Sequence, residues 1–262
     1  MNELTSNLTI QNPQQAVEEY MGEQFIEWLM NYIAHKVKNW PIMDKIRTAK
    51  PKPEKLRKFM IQVFLAQEAF LGSREGDPGF LRFAIANLSE VDDPVAESAL
   101  EILEKRRQDE LIGHQMDKGI LKTVKREQWM KLLRSLEISQ EEIDRSEPKE
   151  PTRNYIAELS DVYSSSEWQT AIGAFASNEQ AVIEEYRAIL AMIKNNLPLP
   201  DRDLAALINY IAGENQYVVN TNHVLDKIVF DRETKDLVWQ GVEQSLAIRE
   251  EFLTGLGKYL ES

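Results

Sequence analysis

Apolar residues recur every third or fourth position over long stretches of this chain, a period that predicts helices rather than strands. The first such stretch covers residues 13–37, where Val17, Tyr20, Met21, Phe25, Trp28, Leu29, Tyr32 and Ile33 form one stripe. Asn12-Pro13 is its start signal, a cap followed by the proline that tolerates a first helical turn. Pro41, Pro51 and Pro53 interrupt the pattern before a second helix over 54–71, which Gly72 stops. Asp77-Pro78 opens a third, to 88, and Asp93-Pro94 a fourth, to 118, with Gly119 just past its end. Shorter helices are expected over 126–136 and 152–163, with a capping box, Ser139 and Glu142, between them. Three long segments follow, over 167–194, 202–230 and 233–260. Leu197-Pro198-Leu199-Pro200 and the cap Asp201 separate the first two, and Asp231 caps the last. There is no internal repeat, low-complexity tract or long linker. The expectation is an all-α protein, a single domain over 1–262 built as a bundle of about nine helices, with 1–12 a loose tail.

Composition narrows the function classes. With 43% hydrophobic residues in 262, and only 11 Gly and 10 Pro, the chain has the apolar content for a full core and few helix breakers. The absence of cysteine removes disulfides, thiolate metal clusters and any thiol nucleophile. A net charge of −12 repels phosphate backbones, so nucleic acid is not an expected partner. The apolar runs are too short to span a bilayer, so no membrane partner is expected. The absence of cysteine fits a reducing cytoplasm, the expected location, and Asn7-Leu8-Thr9, a glycosylation acceptor with no secretory signal before it, reads as chance. The basic stretch from Lys45 to Lys58 reads as a solvated loop between helices rather than an anion site. Expected partners are a small-molecule substrate and, for oligomeric state, a homodimer.

Without cysteine, and with three histidines, the sites for chemistry are few. Glu110 and His114 stand one turn apart on one face, the spacing of one helix's share of a bundle-core metal site. The alternative is a surface pair in a very charged segment, with Arg106, Arg107, Gln108 and Asp109 adjoining; Arg107 shares the face of His114 and could neutralise Glu110 instead. Glu179 is the lone charge in the apolar stretch from Ala174 to Val182. Facing inward it must be paired or ligated, and facing outward it is only solvated. Gln216, Asn220 and His223 point within about 60° of one another on one helix. Such a polar stripe is either a closed hydrogen-bond network or part of a ligand or metal pocket. His35 ends the first helix beside Lys36 and Lys38, where it complements the helix dipole. No phosphate loop, catalytic triad or nucleotide fingerprint is present.

The order of several stretches resembles the heme-oxygenase-like family of TenA and PqqC proteins and the non-heme di-iron oxidases and oxygenases. The stretches are Asn39-Trp40-Pro41, Phe59 to Gln67, Ala86-Asn87-Leu88-Ser89-Glu90, Leu136 to Glu142, and Ala171 to Glu179. The resemblance spans roughly residues 25–255 and implies the fold more directly than the activity. In the di-iron members one helix gives a Glu and a His, a second a Glu, and a third a His-x3-Asp-x2-His motif. By resemblance Glu110 and His114 fall on the first, Glu179 on the second, and Gln216, Asn220 and His223 on the third. The sequence departs from the pattern where two third-helix ligands become amides and where the commonest Glu-to-His spacing lands on Arg107. A second alignment puts Glu90 and Glu97 in the first-helix positions. A thiaminase of the TenA type attacks through a cysteine, which this chain lacks. What the resemblance implies is a non-heme iron-dependent oxidase or oxygenase acting on a small organic metabolite. Glu110, His114, Glu179 and His223 would hold iron, with Gln216, Asn220 and Arg107 as second-layer or substrate contacts. The alternative it leaves open is a metal-free TenA/PqqC-like small-ligand-binding or scaffold protein.

Overall fold

The computed structural model describes residues 13–72, 79–111 and 125–261, without the side chains of 71, 109–111, 125 and 213–220. Among them are twelve α-helices, a terminal 3₁₀ turn and no strand. In chain order they are α1 (Pro13–Glu19), α2 (Gly22–Lys38), α3 (Pro41–Thr48), α4 (Pro53–Leu71), α5 (Leu81–Ser89) and α6 (Pro94–Leu111). Then follow α7 (Lys125–Ser135), α8 (Gln140–Arg145), α9 (Glu150–Tyr163), α10 (Trp168–Asn196), α11 (Ala205–Ile228) and α12 (Arg232–Leu256), with the turn Gly257–Leu260. The all-α expectation holds, and the helix number is higher for local reasons. The first predicted helix is divided at Gly22, whose φ of 49° no continuous right-handed helix accepts. Pro41 opens a helix instead of breaking one, standing at the first turn of α3 with Trp40 as the cap. The basic stretch is therefore mostly the end of α3 and the start of α4, with Lys50 and Lys52 in the short connection between them, and its Lys45 and Lys55 both reach Glu261, at 2.8 and 2.6 Å. Ser139 accepts from the Glu142 N–H as a capping residue should, and heads the short α8.

Other start and stop signals act where the sequence put them. Gly72 ends α4 in the left-handed region at φ 68°, and Asp231 caps α12 through the Thr234 N–H at 2.8 Å. Asp93 accepts from the Val95 N–H at 2.6 Å at the head of α6. Asp201 is not the cap of α11; residues 201–204 form a turn and Leu204 stands at the cap position. The expectations for Asn12, for Asp77-Pro78 and for the continuation of the fourth helix through 112–118 lie outside the described residues.

The bundle is organised around α10. This helix packs on α2, α3, α5, α9, α11 and α12, and most of its side chains are buried. Its closest neighbour is α12, because two glycines let the backbones meet. A Cβ on Gly173 would stand 2.1 Å from the Val238 carbonyl oxygen, and one on Gly241 would stand 1.9 Å from the Thr170 carbonyl oxygen. Polar side chains in the stretches that carried the resemblance fasten the periphery to this core. Gln62, buried in α4, accepts from the Lys149 N–H and the Thr152 hydroxyl, each at 2.7 Å. It also donates to the Glu147 carbonyl at 3.2 Å. Asn87 of α5 donates to the Ser165 carbonyl at 2.9 Å, fixing the turn between α9 and α10. Among the described residues no helix is long and apolar enough to cross a membrane.

Candidate interior ligand site

The polar interior lies on two stripes of α10. Asn178 and Glu185 stand seven residues apart, as do Glu179 and Tyr186, so each pair projects along one line of the helix. All four are buried.

Glu179 faces inward and is paired. Its Oε1 accepts from Arg106 Nε at 3.0 Å, and the same guanidinium donates to the Tyr210 hydroxyl at 2.9 Å. Arg106 is 0% exposed. Its guanidinium also lies against the Tyr210 ring, 5.6 Å from the centroid. The second oxygen, Oε2, and the hydroxyl of Tyr163 are buried and have no hydrogen-bond partner among the described residues. Burial, reinforced by Tyr155 and Glu179, holds that hydroxyl well above its ordinary range, so it stays a neutral donor.

On the neighbouring stripe Arg249 of α12 donates to Glu185 at 3.1 Å and to the Asn178 side-chain oxygen at 2.6 Å. Burial pushes the Glu185 carboxyl up, and the Arg249 charge pulls it part of the way back. For Arg249 burial acts downward, but Tyr155 and Glu185 outweigh it and keep the guanidinium charged. Tyr186 donates to Gln67 at 3.2 Å and meets the Tyr210 ring edge-on at 4.7 Å, joining the two stripes. Glu68, one residue on from Gln67, is also buried and pairs with Arg126 at 2.8 Å. A void of about 10 Å³ lies among Gln67, Asn178, Glu185, Tyr186 and Arg249, room for a single water.

The residues expected to hold a metal are distributed differently. Glu179 is in the interior, whereas His223 lies on the exposed side of α11, two residues past the buried Thr221. His114, and the side chains of Glu110, Gln216 and Asn220, lie outside the described residues. Arg107 is half-buried with its Nε unbonded, and the arginine that reaches into the core is its neighbour Arg106. Glu90 and Glu97, from the second alignment, are both exposed. His35 is exposed at the end of α2 and within 3.1 Å of the Asn39 side chain, as its place near the dipole predicts. Among the described residues no three His, Asp or Glu side chains come together as a metal site.

The described residues beside Glu179 do not by themselves fit a metal. A unit charge about 4 Å from the Arg106 guanidinium meets roughly 4 kcal/mol of repulsion at an effective dielectric near 20, and a divalent ion roughly twice that. Glu179 supplies one negative charge, already opposed by one positive charge. A water or another hydrogen-bond donor without a metal's charge completes Oε2 at far lower cost.

With this interior described, the relatives can be compared. A structure of a protein domain of unknown function from Shewanella denitrificans, described as having a heme oxygenase-like fold, superposes with a TM-score of 0.64 over 90% of this chain and 90% of that one, at 15% identity. This chain has the heme oxygenase-like fold. A TenA homologue from Pseudomonas syringae pv. tomato shares that fold with a TM-score of 0.64 over 95% of this chain and 96% of its own, at 12% identity. So does a CADD-like protein of unknown function from Nostoc punctiforme, at 0.66, 89%, 99% and 10% respectively. A profile of the TENA/THI-4/PQQC family matches residues 82–208, which run from α5 to the start of α11 and include both Arg106 and Glu179. No curated protein matches the sequence significantly.

Proposed function

We propose that the protein is a metal-free, TenA/PqqC-like small-ligand-binding or scaffold protein, with the polar interior around α10 as the part of the fold that took the place of a metal site. The observation that carries this reading is the buried Arg106–Glu179 pair. The resemblance assigned Glu179 to a metal, and the fixed guanidinium on it already supplies the neutralising charge. The unbonded Glu179 Oε2 and Tyr163 hydroxyl are what a small polar molecule would satisfy. A thiaminase of the TenA type, the description given to a structural relative from Sulfolobus solfataricus (TM-score 0.52, 13% identity), would need a nucleophile other than cysteine in this chain.

Metal analysis after reconstitution with Fe(II) or Mn(II) tests the reading. Less than about a tenth of an equivalent retained is the expected result. A full equivalent bound, with Glu179→Gln abolishing it, would overturn the reading in favour of an iron-dependent oxidase or oxygenase.

A further inference from the structure

Among the described residues Lys235 of α12 is the only buried lysine, at 1% exposure. Its ammonium donates to the Tyr20 carbonyl at 2.8 Å and to the Met21 Sδ at 3.3 Å, and lies 5.8 Å from the Phe25 ring centroid. No described carboxylate forms an ion pair with it, although Asp231 feels its charge. A buried ammonium is ordinarily matched by an anion, because neutral acceptors return only part of its lost hydration. A thioether is a weak acceptor, so the Met21 contact is the weaker of the two. Met21 belongs to the apolar stripe of the sequence, yet it is 51% exposed. It caps α2 beside Gly22, where φ is 49°. Met43, Met60, Met130 and Met192 are at most 3% exposed, and Met30 is partly buried. Met21 is therefore the described methionine that a dissolved oxidant meets first.

At seven residues α1 is too short to persist as a helix by itself. Its order depends on what ties it down: the buried Ala16 and Val17, the exposed Arg232–Glu18 pair and the Lys235 contacts just past its end. We infer that Met21 is a site of oxidation by hydrogen peroxide and that Lys235 receives the resulting sulfoxide, fastening the α1–α2 junction to α12. A sulfur lone pair of Met21 attacks one peroxide oxygen and the O–O bond breaks. The sulfur loses two electrons and becomes the sulfoxide, and the departing hydroxide takes the proton from the transferred oxygen and leaves as water. The sulfoxide oxygen is a strong acceptor, so a charge-assisted hydrogen bond replaces the contact to sulfur. Oxidation of a core methionine disrupts packing. Here the new polar group meets a buried charge that lacks an anion, and the sign is reversed.

Limited hydrogen peroxide treatment of the full chain, read by peptide mapping and amide hydrogen exchange, tests both parts. Met21 is expected to be oxidised several-fold faster than Met30, Met43, Met60, Met130 or Met192. In the oxidised protein, exchange across residues 14–24 is expected to slow by about five- to tenfold, and methionine sulfoxide reductases should restore the original rate. Met21→Leu leaves every other methionine oxidisable and should show no slowing after peroxide. Lys235→Met keeps the apolar stem without the ammonium and should lose the slowing while Met21 is still oxidised. Oxidation of Met30 or a buried methionine ahead of Met21 would overturn the site. Unchanged or faster exchange at 14–24 once Met21 is oxidised, or the same slowing in Met21→Leu, would overturn the fastening. Full slowing in Lys235→Met would overturn the role of Lys235. If Lys235→Met does not fold, the comparison of wild type with Met21→Leu still decides the fastening.

Discussion

Arg106 and Glu179 illustrate what a charged side chain does when the helix carrying it is otherwise apolar on that face. Buried ion pairs contribute little net stability, because desolvation offsets the attraction, but breaking one leaves a charge with no solvent. Arg106→Met is therefore expected to lose about 3–5 kcal/mol in urea unfolding. Arg106→Met/Glu179→Leu, which removes both charges, is expected to recover most of that loss. If single and double variants are equally unstable, packing rather than the orphaned charge sets the cost. Glu185 supplies a pH prediction at the same scale. Its folded-state value lies above the ordinary 4.5 because burial disfavours the carboxylate. The stability it contributes is therefore present below pH 4.5 and lost as pH rises through the folded value. Measured by urea unfolding across pH 4–7, Glu185→Gln should lack that decline, so wild type loses ground to the variant as pH rises. The signal for both arginines was present in the sequence. Arg106 continues the buried stripe Ala99–Leu103, and Arg249 the stripe Val242–Leu246. Charge alone suggested solvent, and only the facing carboxylates on α10 reverse that assignment.

At the scale of elements, the α10–α12 contact depends on the two glycines lacking side chains. Intrinsic propensity favours alanine over glycine inside a helix by about 1 kcal/mol. Here the sign is expected to invert, because the added methyl meets backbone oxygen at 2.1 or 1.9 Å and neither helix can yield locally. Gly173→Ala and Gly241→Ala are each expected to destabilise by about 1–3 kcal/mol in chemical denaturation, the range for overpacking. A stabilised variant would show that the crossing is looser. The glycines at the helix breaks act through the backbone instead: Gly22 and Gly72 sit at positive φ. Gly72 was legible as a stop, since a glycine after the last apolar position is the usual helix end. Gly22 was not, because the apolar stripe runs on across it from α1 into α2 and masks the break. Asp201 failed as a cap for a related reason: the turn at 201–204 delays α11 until Ala205.

For the molecule as a whole, the net charge of −12 acts against compactness, since surface carboxylates outnumber their partners. Screening should relieve more repulsion than it costs in exposed pairs such as Lys45–Glu261 and Arg232–Glu18, each worth little. The thermal midpoint is accordingly expected to rise by a few degrees between low and physiological salt, as the screening length falls from about 30 to about 8 Å. A fall in the midpoint would mean that the surface pairs outweigh the repulsion.

The apolar period, the prolines and the capping residues determined by themselves that the chain is helical, where most helices begin, and that cysteine chemistry is absent. These are local properties, set by contacts within a turn or two. Which face each charged residue turns inward was decided only in the tertiary structure. The partner of Glu179 is 73 positions away in sequence, and that of Glu185 is 64 away. Spacing along one helix orients a side chain relative to its own axis but carries no information about the helix packed against it. That is why Glu179 was readable as a residue needing a partner if it faced inward, while its facing and the identity of its partner, an arginine reaching across from α6, emerged only in the tertiary structure.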